Sequence, residues 1–255
     1  MVTLLLKKSY LHKDLKEITF NDLWNCHGVF TTMRVVGKPV KILFFKEHIN
    51  NLIKSLKIYK INEKNLKKNI LKLIKLNIKI NKKYDHLFRV ASNNQMISIS
   101  LRKRLKPKSN FKLKLVNYKR IQPEYKNLKY KKILGFLKSM DTTKSDIALY
   151  KNKKFLESGT SNLLFVQKNK IYSPINNFYM GTTLKFFTKK LKIKKRNIFI
   201  DTLNNYDEII VVGSGKGVVS VNSIENTKWR KKSIKFYKIL LNIYNVEISK
   251  SAVYR

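Results

Sequence analysis

The chain has one cysteine, Cys26, in 255 residues. A single thiol excludes an intrachain disulfide framework and a multi-cysteine zinc site, and it fits a reducing compartment. Four scattered histidines do not make a metal-ligand pattern, so no metal is expected. Carboxylates are scarce: 15 acidic residues face 56 basic ones, for a formal net charge of +41. Arginine is scarcer still, with eight residues, and the other 48 cations are lysines spread along the chain among many Ile and Asn. Dedicated nucleic-acid sites favour arginine forks and stacked aromatics, so this pattern argues against sequence-specific recognition. It fits the codon bias of an AT-rich genome, although such a surface can still bind polyanions without specificity. No apolar stretch approaches the roughly 18 residues of a membrane span, and Val2-Thr3-Leu4-Leu5-Leu6 is too short for a signal peptide. These absences predict a soluble, cytoplasmic chain with no membrane partner.

The hydrophobic share of 43% is that of a protein with a real core, and the length suits one large domain or two small ones. Residues 29–34 and 41–45 read as strands around the Gly37-Lys38-Pro39 turn. Leu66, Ile70, Leu73 and Ile74 recur at helical spacing within residues 65–76, with lysines on the other face. Residues 87–91 and 96–101 read as a hairpin closed by Ser92-Asn93-Asn94-Gln95, and residues 113–117 as a further strand. The stretch 117–127, with Arg120 and Pro123, lacks periodicity and reads as a linker. Beyond it helices are expected over 131–140, 182–191 and 233–244, and strands over 147–150, 154–157, 163–167 and 208–212. Interleaved strands and helices on both sides of the linker predict two α/β domains meeting at a cleft.

The stretch richest in chemistry is Phe155-Leu156-Glu157-Ser158-Gly159-Thr160-Ser161-Asn162, which sets one carboxylate in a tight small-residue turn between two strands. Gly181-Thr182-Thr183 opens the helix over 182–191, where backbone N–H groups and the helix dipole favour an anion. Gly213-Ser214-Gly215 follows the apolar strand over 208–212, and its spacing is not that of a Walker loop. Together these segments resemble the fold-type IV pyridoxal-phosphate enzymes, which include branched-chain and D-amino-acid aminotransferases and aminodeoxychorismate lyases. The resemblance runs from about Asp22 to Val221.

That resemblance implies an α/β (α+β) chain in two domains. A smaller N-terminal α/β domain would span residues 1–118, a linker 119–128, and a C-terminal pseudo-barrel domain that binds pyridoxal 5'-phosphate 129–255. Glu157, Ser161 and Asn162 match the family pattern E-G-x-x-S-N, in which the glutamate pairs with the pyridine nitrogen. Asn162, Gly181, Thr182, Thr183, Ser214 and Gly215 would also bind the cofactor, the last five around its phosphate. The lysine that bonds the cofactor would be Lys129 in Lys129-Tyr130-Lys131-Lys132-Ile133-Leu134-Gly135, six residues after Pro123. This segment lacks the usual Ser or Thr and Asn, and its short distance to Glu157 implies a trimmed helix or loop. Lys126 is the rival, because it restores most of that spacing.

Three departures from the family accompany the match. Asn51 replaces the arginine of H-x-x-R-L after His48, Leu184 replaces the arginine of G-[IV]-T-R, and Cys26-His27-Gly28 replaces G-D-G. A charge-assisted phosphate contact is worth about 1.5–3 kcal/mol, so the lost arginines need a substitute. For the reaction, Phe30-Thr31-Thr32-Met33-Arg34-Val35 is similar to the F-T-T-x-R-V of aminodeoxychorismate lyases, with Thr31, Thr32 and Arg34 as substrate-pocket candidates. Alternation along a strand sends the two threonines to opposite faces. Leu134 stands where branched-chain enzymes carry a tyrosine. The resemblance therefore implies a lyase making 4-aminobenzoate and pyruvate from 4-amino-4-deoxychorismate. An aminotransferase for branched-chain or D-amino acids is the alternative, and a non-catalytic or nucleic-acid-binding basic protein is the second. A small amino substrate and a homodimer are implied for either enzyme.

Overall fold

A computed structural model describes residues 4–254, so Val2 and Thr3 of the N-terminal apolar run lie outside the described residues. The chain divides into two compact units. One holds the chain up to Arg104, together with Tyr125–Lys131 and the C-terminal end from Lys250; the other holds Leu105–Glu124 and Lys132–Ser249.

The first unit is built on six strands: β1 (Leu4–Leu11), β2 (Glu17–Ile18), β3 (Val29–Gly37), β4 (Lys41–Ile42), β5 (Tyr84–Ser92) and β6 (Met96–Lys103). They form one antiparallel sheet in the order β2-β1-β6-β5-β3-β4. Strand alternation decides its faces. Val29, Met33 and Val35 of β3 enter the core with Phe88 and Val90 of β5. Helices α1 (Phe45–Ile58) and α2 (Leu66–Asn77) supply the rest of that core through Ile49, Leu52 and Leu56 and through Leu66, Ile70, Leu73 and Ile74. Their spacing of three and four residues puts each set on one helix face. The strand expected to run to Phe45 ends at Ile42. Phe44 takes a left-handed φ of 54° and α1 starts at Phe45, so the aromatic pair marks a helix entry. The α2 helix and the β5–β6 hairpin lie where their patterns predict.

The second unit contains β7 (Phe111–Asn117), β8 (Ser145–Lys151), β9 (Lys154–Ser158), β10 (Asn162–Gln167), β11 (Lys170–Ser173), β12 (Ile193–Lys195), β13 (Glu208–Gly213) and β14 (Gly217–Ile224). They form an eight-stranded mixed sheet in the order β12-β11-β10-β13-β14-β7-β8-β9, with parallel pairing at β11–β12, β14–β7 and β7–β8. The helices are α3 (Lys131–Leu137), α4 (Thr182–Lys190) and α5 (Lys235–Lys250). Strand β13 is buried along Glu208–Val212, so its apolar residues run continuously instead of alternating. Ile209 and Val211 pack with Phe165, Tyr206 and Trp229. Glu208, fully buried, accepts the Phe236 and Tyr237 N–H groups at 2.9 and 2.8 Å and so caps the start of α5. Among the described residues no helix is long and apolar enough to cross a membrane.

Candidate active site

Glu157 is the penultimate residue of β9 and Asn162 opens β10, with the Ser158–Ser161 turn between them. The turn is held by its own polar groups: Ser158 N–H donates to the Ser161 carbonyl at 2.9 Å, and Ser161 N–H donates to Ser158 Oγ at 2.9 Å. Glu157 is buried. Its carboxylate accepts Arg120 Nε at 2.6 Å, Arg120 Nη2 at 3.2 Å and the Tyr179 N–H at 3.4 Å. Arg120 Nη2 also donates to the Pro123 carbonyl at 2.8 Å. A buried carboxylate requires such partners, and the guanidinium fork meets both of its oxygens.

Asn162 fixes the facing segment. Its Nδ2 donates to the Tyr179 carbonyl at 2.7 Å, and its Oδ1 accepts the Gly181 N–H at 3.0 Å. Glu157 and Asn162 therefore hold the same short stretch before α4. Burial pushes the Tyr179 hydroxyl up to about 12, partly opposed by the Arg120 cation, so it remains protonated at neutral pH. Gly181 leaves no room for a side chain, because a Cβ there would sit 2.8 Å from Asn162 Oδ1. Helix α4 starts at this glycine with no side-chain cap. The first N–H groups of a helix have no intrahelical partners and collect partial positive charge. Thr182 and Thr183 of the first turn are buried, and Thr183 Oγ1 has no hydrogen-bond partner.

Ser214 and Gly215 lie half-buried in the turn joining β13 to β14. The preceding Gly213 packs on the Glu157 turn so closely that a Cβ would meet Ser161 Oγ at 2.6 Å. Ser161 Oγ is likewise buried without a partner. One unit thus brings together Glu157, Asn162, Gly181, Thr182 and Thr183, and Gly213 ties the Ser214-Gly215 turn to them. Two orphaned hydroxyls, an uncapped helix start and a buried carboxylate make a donor and acceptor set that fits a phosphorylated pyridine.

The remaining sequence candidates belong to the other unit. Lys129 is half-buried, and its Nζ donates to the Asn25 carbonyl at 2.9 Å. Lys126 carries its Nζ 4.9 Å from the centre of the Phe30 ring. The segment bearing both pairs with β3 through an antiparallel bridge between Asn127 and Val29. Helix α3 after it is only seven residues long. Thr31 is buried, its Oγ1 2.7 Å from His48 Nδ1, whereas Thr32 is half-buried and pairs with Arg89 of β5. Arg34 reaches Asp85 at 3.5 Å. Among the described residues no three His, Cys, Asp or Glu side chains gather as a metal site.

Sequence reasoning missed two arginines. Arg120 appeared only as part of a linker, although an arginine among so many lysines was itself a signal for a bidentate role. Arg89 lies with its guanidinium 3.8 Å from the Trp24 ring centre and 5.2 Å from that of Phe30, donating Nη2 to the Asp22 carbonyl at 2.8 Å. Its Nε is buried without a partner. Burial pulls Arg89 down to about 10, partly offset by Asp22, and it stays charged at neutral pH.

A family model described as amino-transferase class IV matches residues 28–224. The branched-chain aminotransferase of the thermophilic archaeon Thermoproteus uzoniensis is similar, with a TM-score of 0.79 at 15% identity, over 95% of each chain. The branched-chain amino acid aminotransferase of Escherichia coli gives 0.75 at 14% identity, over 94% of this chain and 93% of that one. A Legionella pneumophila protein, provisionally described as a 4-amino-4-deoxychorismate lyase, gives 0.71 at 16% identity, over 87% and 91%. At these identities the likeness shows the fold. An uncharacterized protein from Haemophilus influenzae is 32% identical over 73 residues, a match that spans 29% of this chain and 39% of that relative's length.

Proposed function

This chain belongs to the amino-transferase class IV family, whose members are pyridoxal-phosphate-dependent enzymes, and on that premise we propose that it is a lyase converting 4-amino-4-deoxychorismate to 4-aminobenzoate and pyruvate. The observation that carries this reading is the face of the first unit's sheet on which Thr32 pairs with Arg89, whose guanidinium lies over the Trp24 ring and beside the Phe30 ring. The substrate is a six-membered ring bearing two carboxylates. An aromatic-flanked guanidinium with an orphaned Nε suits such a ring and one of its carboxylates.

Pyridoxal phosphate, when bound, supplies an electron sink for the pair released as a substrate proton departs. In this reading Glu157, backed by Arg120, would hold the ring nitrogen, while the start of α4 and the Ser214-Gly215 turn would donate N–H groups to the phosphate. Lys129 would hold the cofactor covalently through its Nζ. The same Nζ would act as the base that takes the proton from the carbon bearing the substrate amine. The bond from the adjacent ring carbon to the enolpyruvyl oxygen breaks, the ring aromatises, and the proton returns to the departing enolpyruvate to give pyruvate. The protein acts as a cytoplasmic homodimer, the assembly typical of this fold.

A branched-chain or D-amino-acid aminotransferase is the second reading, favoured by the likeness to two branched-chain aminotransferases over more than nine-tenths of the chain. The test offers the cofactor-loaded protein aminodeoxychorismate alone, then branched-chain L-amino acids or D-alanine with 2-oxoglutarate. Pyruvate and 4-aminobenzoate formed without a keto-acid acceptor is the expected result. Acceptor-dependent turnover of amino acids with no 4-aminobenzoate would establish the second reading. Borohydride trapping and peptide mapping would decide between Lys129 and Lys126.

A further inference from the structure

Asp146, at the start of β8, is fully buried and lies outside every motif discussed so far. Its Oδ2 accepts Thr160 Oγ1 at 2.9 Å and Ser158 Oγ at 3.3 Å, and its Oδ1 accepts the Ile147 N–H at 2.8 Å. Both hydroxyls belong to the turn that follows Glu157. Gly159 lies against the same carboxylate, where a Cβ would come within 2.7 Å of Asp146 Oδ1. The small residues of this turn therefore have a physical cause: they wrap a buried anion.

The cation nearest that anion comes from the other small-residue loop. Lys216, directly after Ser214-Gly215, is buried, and its Nζ lies 3.8 Å from Asp146 Oδ2. The ammonium also donates to the Thr142 carbonyl at 2.9 Å and lies 4.9 Å from the Phe111 ring centre. Burying a lysine is costly unless its charge is matched, and a pair placed inside a fold fixes geometry more surely than it adds stability. Here Asp146, on β8, accepts the hydroxyls of the Glu157 turn, and Lys216 directly follows Ser214-Gly215.

We propose that Asp146 and Lys216 are a positioning pair that sets the spacing between the carboxylate meant for the pyridine nitrogen and the loop meant for the phosphate. A rigid ligand that must touch both places at once needs that spacing fixed in advance. The proposal rests on the cofactor assignment above and adds two residues to those assigned to hold the ligand. It also gives Lys216 a role different from that of a replacement for the lost phosphate arginines, because its ammonium is directed to Asp146 and Thr142.

The test compares pyridoxal 5'-phosphate with pyridoxal, which lacks the phosphate, by equilibrium binding to the wild-type apoprotein and to Lys216→Met and Lys216→Arg. A positioning pair predicts that Lys216→Met lowers the affinity ratio of the phosphorylated to the unphosphorylated ligand by about tenfold or more, the size of one lost charge-assisted contact. Lys216→Arg should restore most of that ratio. Where Lys216→Met fails to fold, Thr160→Val removes one donor from Asp146 and carries the same comparison. An unchanged ratio, or an equal loss of both ligands, would overturn the proposal, the second result marking the pair as structural only. A wild-type protein that takes up neither ligand would overturn the cofactor assignment and this proposal with it.

Discussion

Arg120 holds Glu157 by two contacts, Nε to Oε1 at 2.6 Å and Nη2 to Oε2 at 3.2 Å, with both side chains buried and 37 residues apart in sequence. The carboxylate at the heart of the site is therefore fixed by a cation on one side and by the Tyr179 N–H on another. Removing the cation alone strands a buried charge. Arg120→Met should cost about 3–5 kcal/mol of folding stability, the size expected for a broken buried pair. Arg120→Lys keeps the charge, loses the fork and should fall between the two. Urea unfolding of the apoprotein measures both, and a loss within experimental error for Arg120→Met would show that the pair is not a structural anchor.

Glu157→Gln keeps the shape of the side chain and removes its charge. Cofactor uptake should stay close to wild type, because the N–H donors around Gly181 and Ser214 are untouched. Turnover should fall by about a hundredfold or more, as for the loss of a preorganised electrostatic partner of the reacting group. Parallel titration with cofactor and single-turnover kinetics separates the two effects. Full activity in this variant would move the acid elsewhere.

His48 is buried against Thr31, and burial holds its pKa down to about 3, with the Lys126 cation pushing the same way. A histidine in the unfolded chain titrates near 6.5. The folded state thus binds fewer protons than the unfolded state between these values. The contribution of this group to stability is complete above about pH 6.5 and is lost as pH falls toward 3, by on the order of 1.4 kcal/mol per pH unit. Melting temperatures measured from pH 7 downward should fall more steeply for the wild type than for His48→Gln. Parallel curves would show that His48 carries no such penalty.

Much of this site was legible because local backbone demands specific residues. Gly181 and Gly159 have little freedom to be anything else when a Cβ would strike Asn162 or Asp146. Helix α2 and the β5–β6 hairpin were legible through period alone. The entry to α1 was not, because Leu43-Phe44-Phe45 has strand-like composition and only the left-handed turn at Phe44 redirects it. Strands β1 and β14 were also missed. β1 carries polar residues such as Lys7, Lys8 and Ser9 that blur its apolar pattern, and β14, buried nearly throughout, breaks its run of valines with Ser220, Asn222 and Ser223. Arg120 and Lys216 escaped notice for a different reason: their partners lie 37 and 70 residues away, and no periodicity reports a contact that the fold alone creates. Choosing one lysine among 48 by spacing left Lys126 and Lys129 both standing.

Gly181→Ala isolates the contact that ties the motif turn to α4. The backbone φ of −65° at Gly181 suits alanine, so the substitution adds no backbone strain. Its methyl group would meet Asn162 Oδ1 at 2.8 Å and force that side chain away from the Gly181 N–H, weakening the 2.7 Å bond to the Tyr179 carbonyl as well. The expected cost in stability is about 1 kcal/mol, one neutral hydrogen bond. Cofactor affinity should fall by about tenfold or more, because the helix start shifts relative to Glu157. Asn162→Ala should produce a similar loss, and the double variant should be little worse than either, since both changes break one contact. Affinities of the four proteins for pyridoxal phosphate close the cycle. Additive losses would mean that Gly181 and Asn162 act on the ligand separately and that the turn is held by other means.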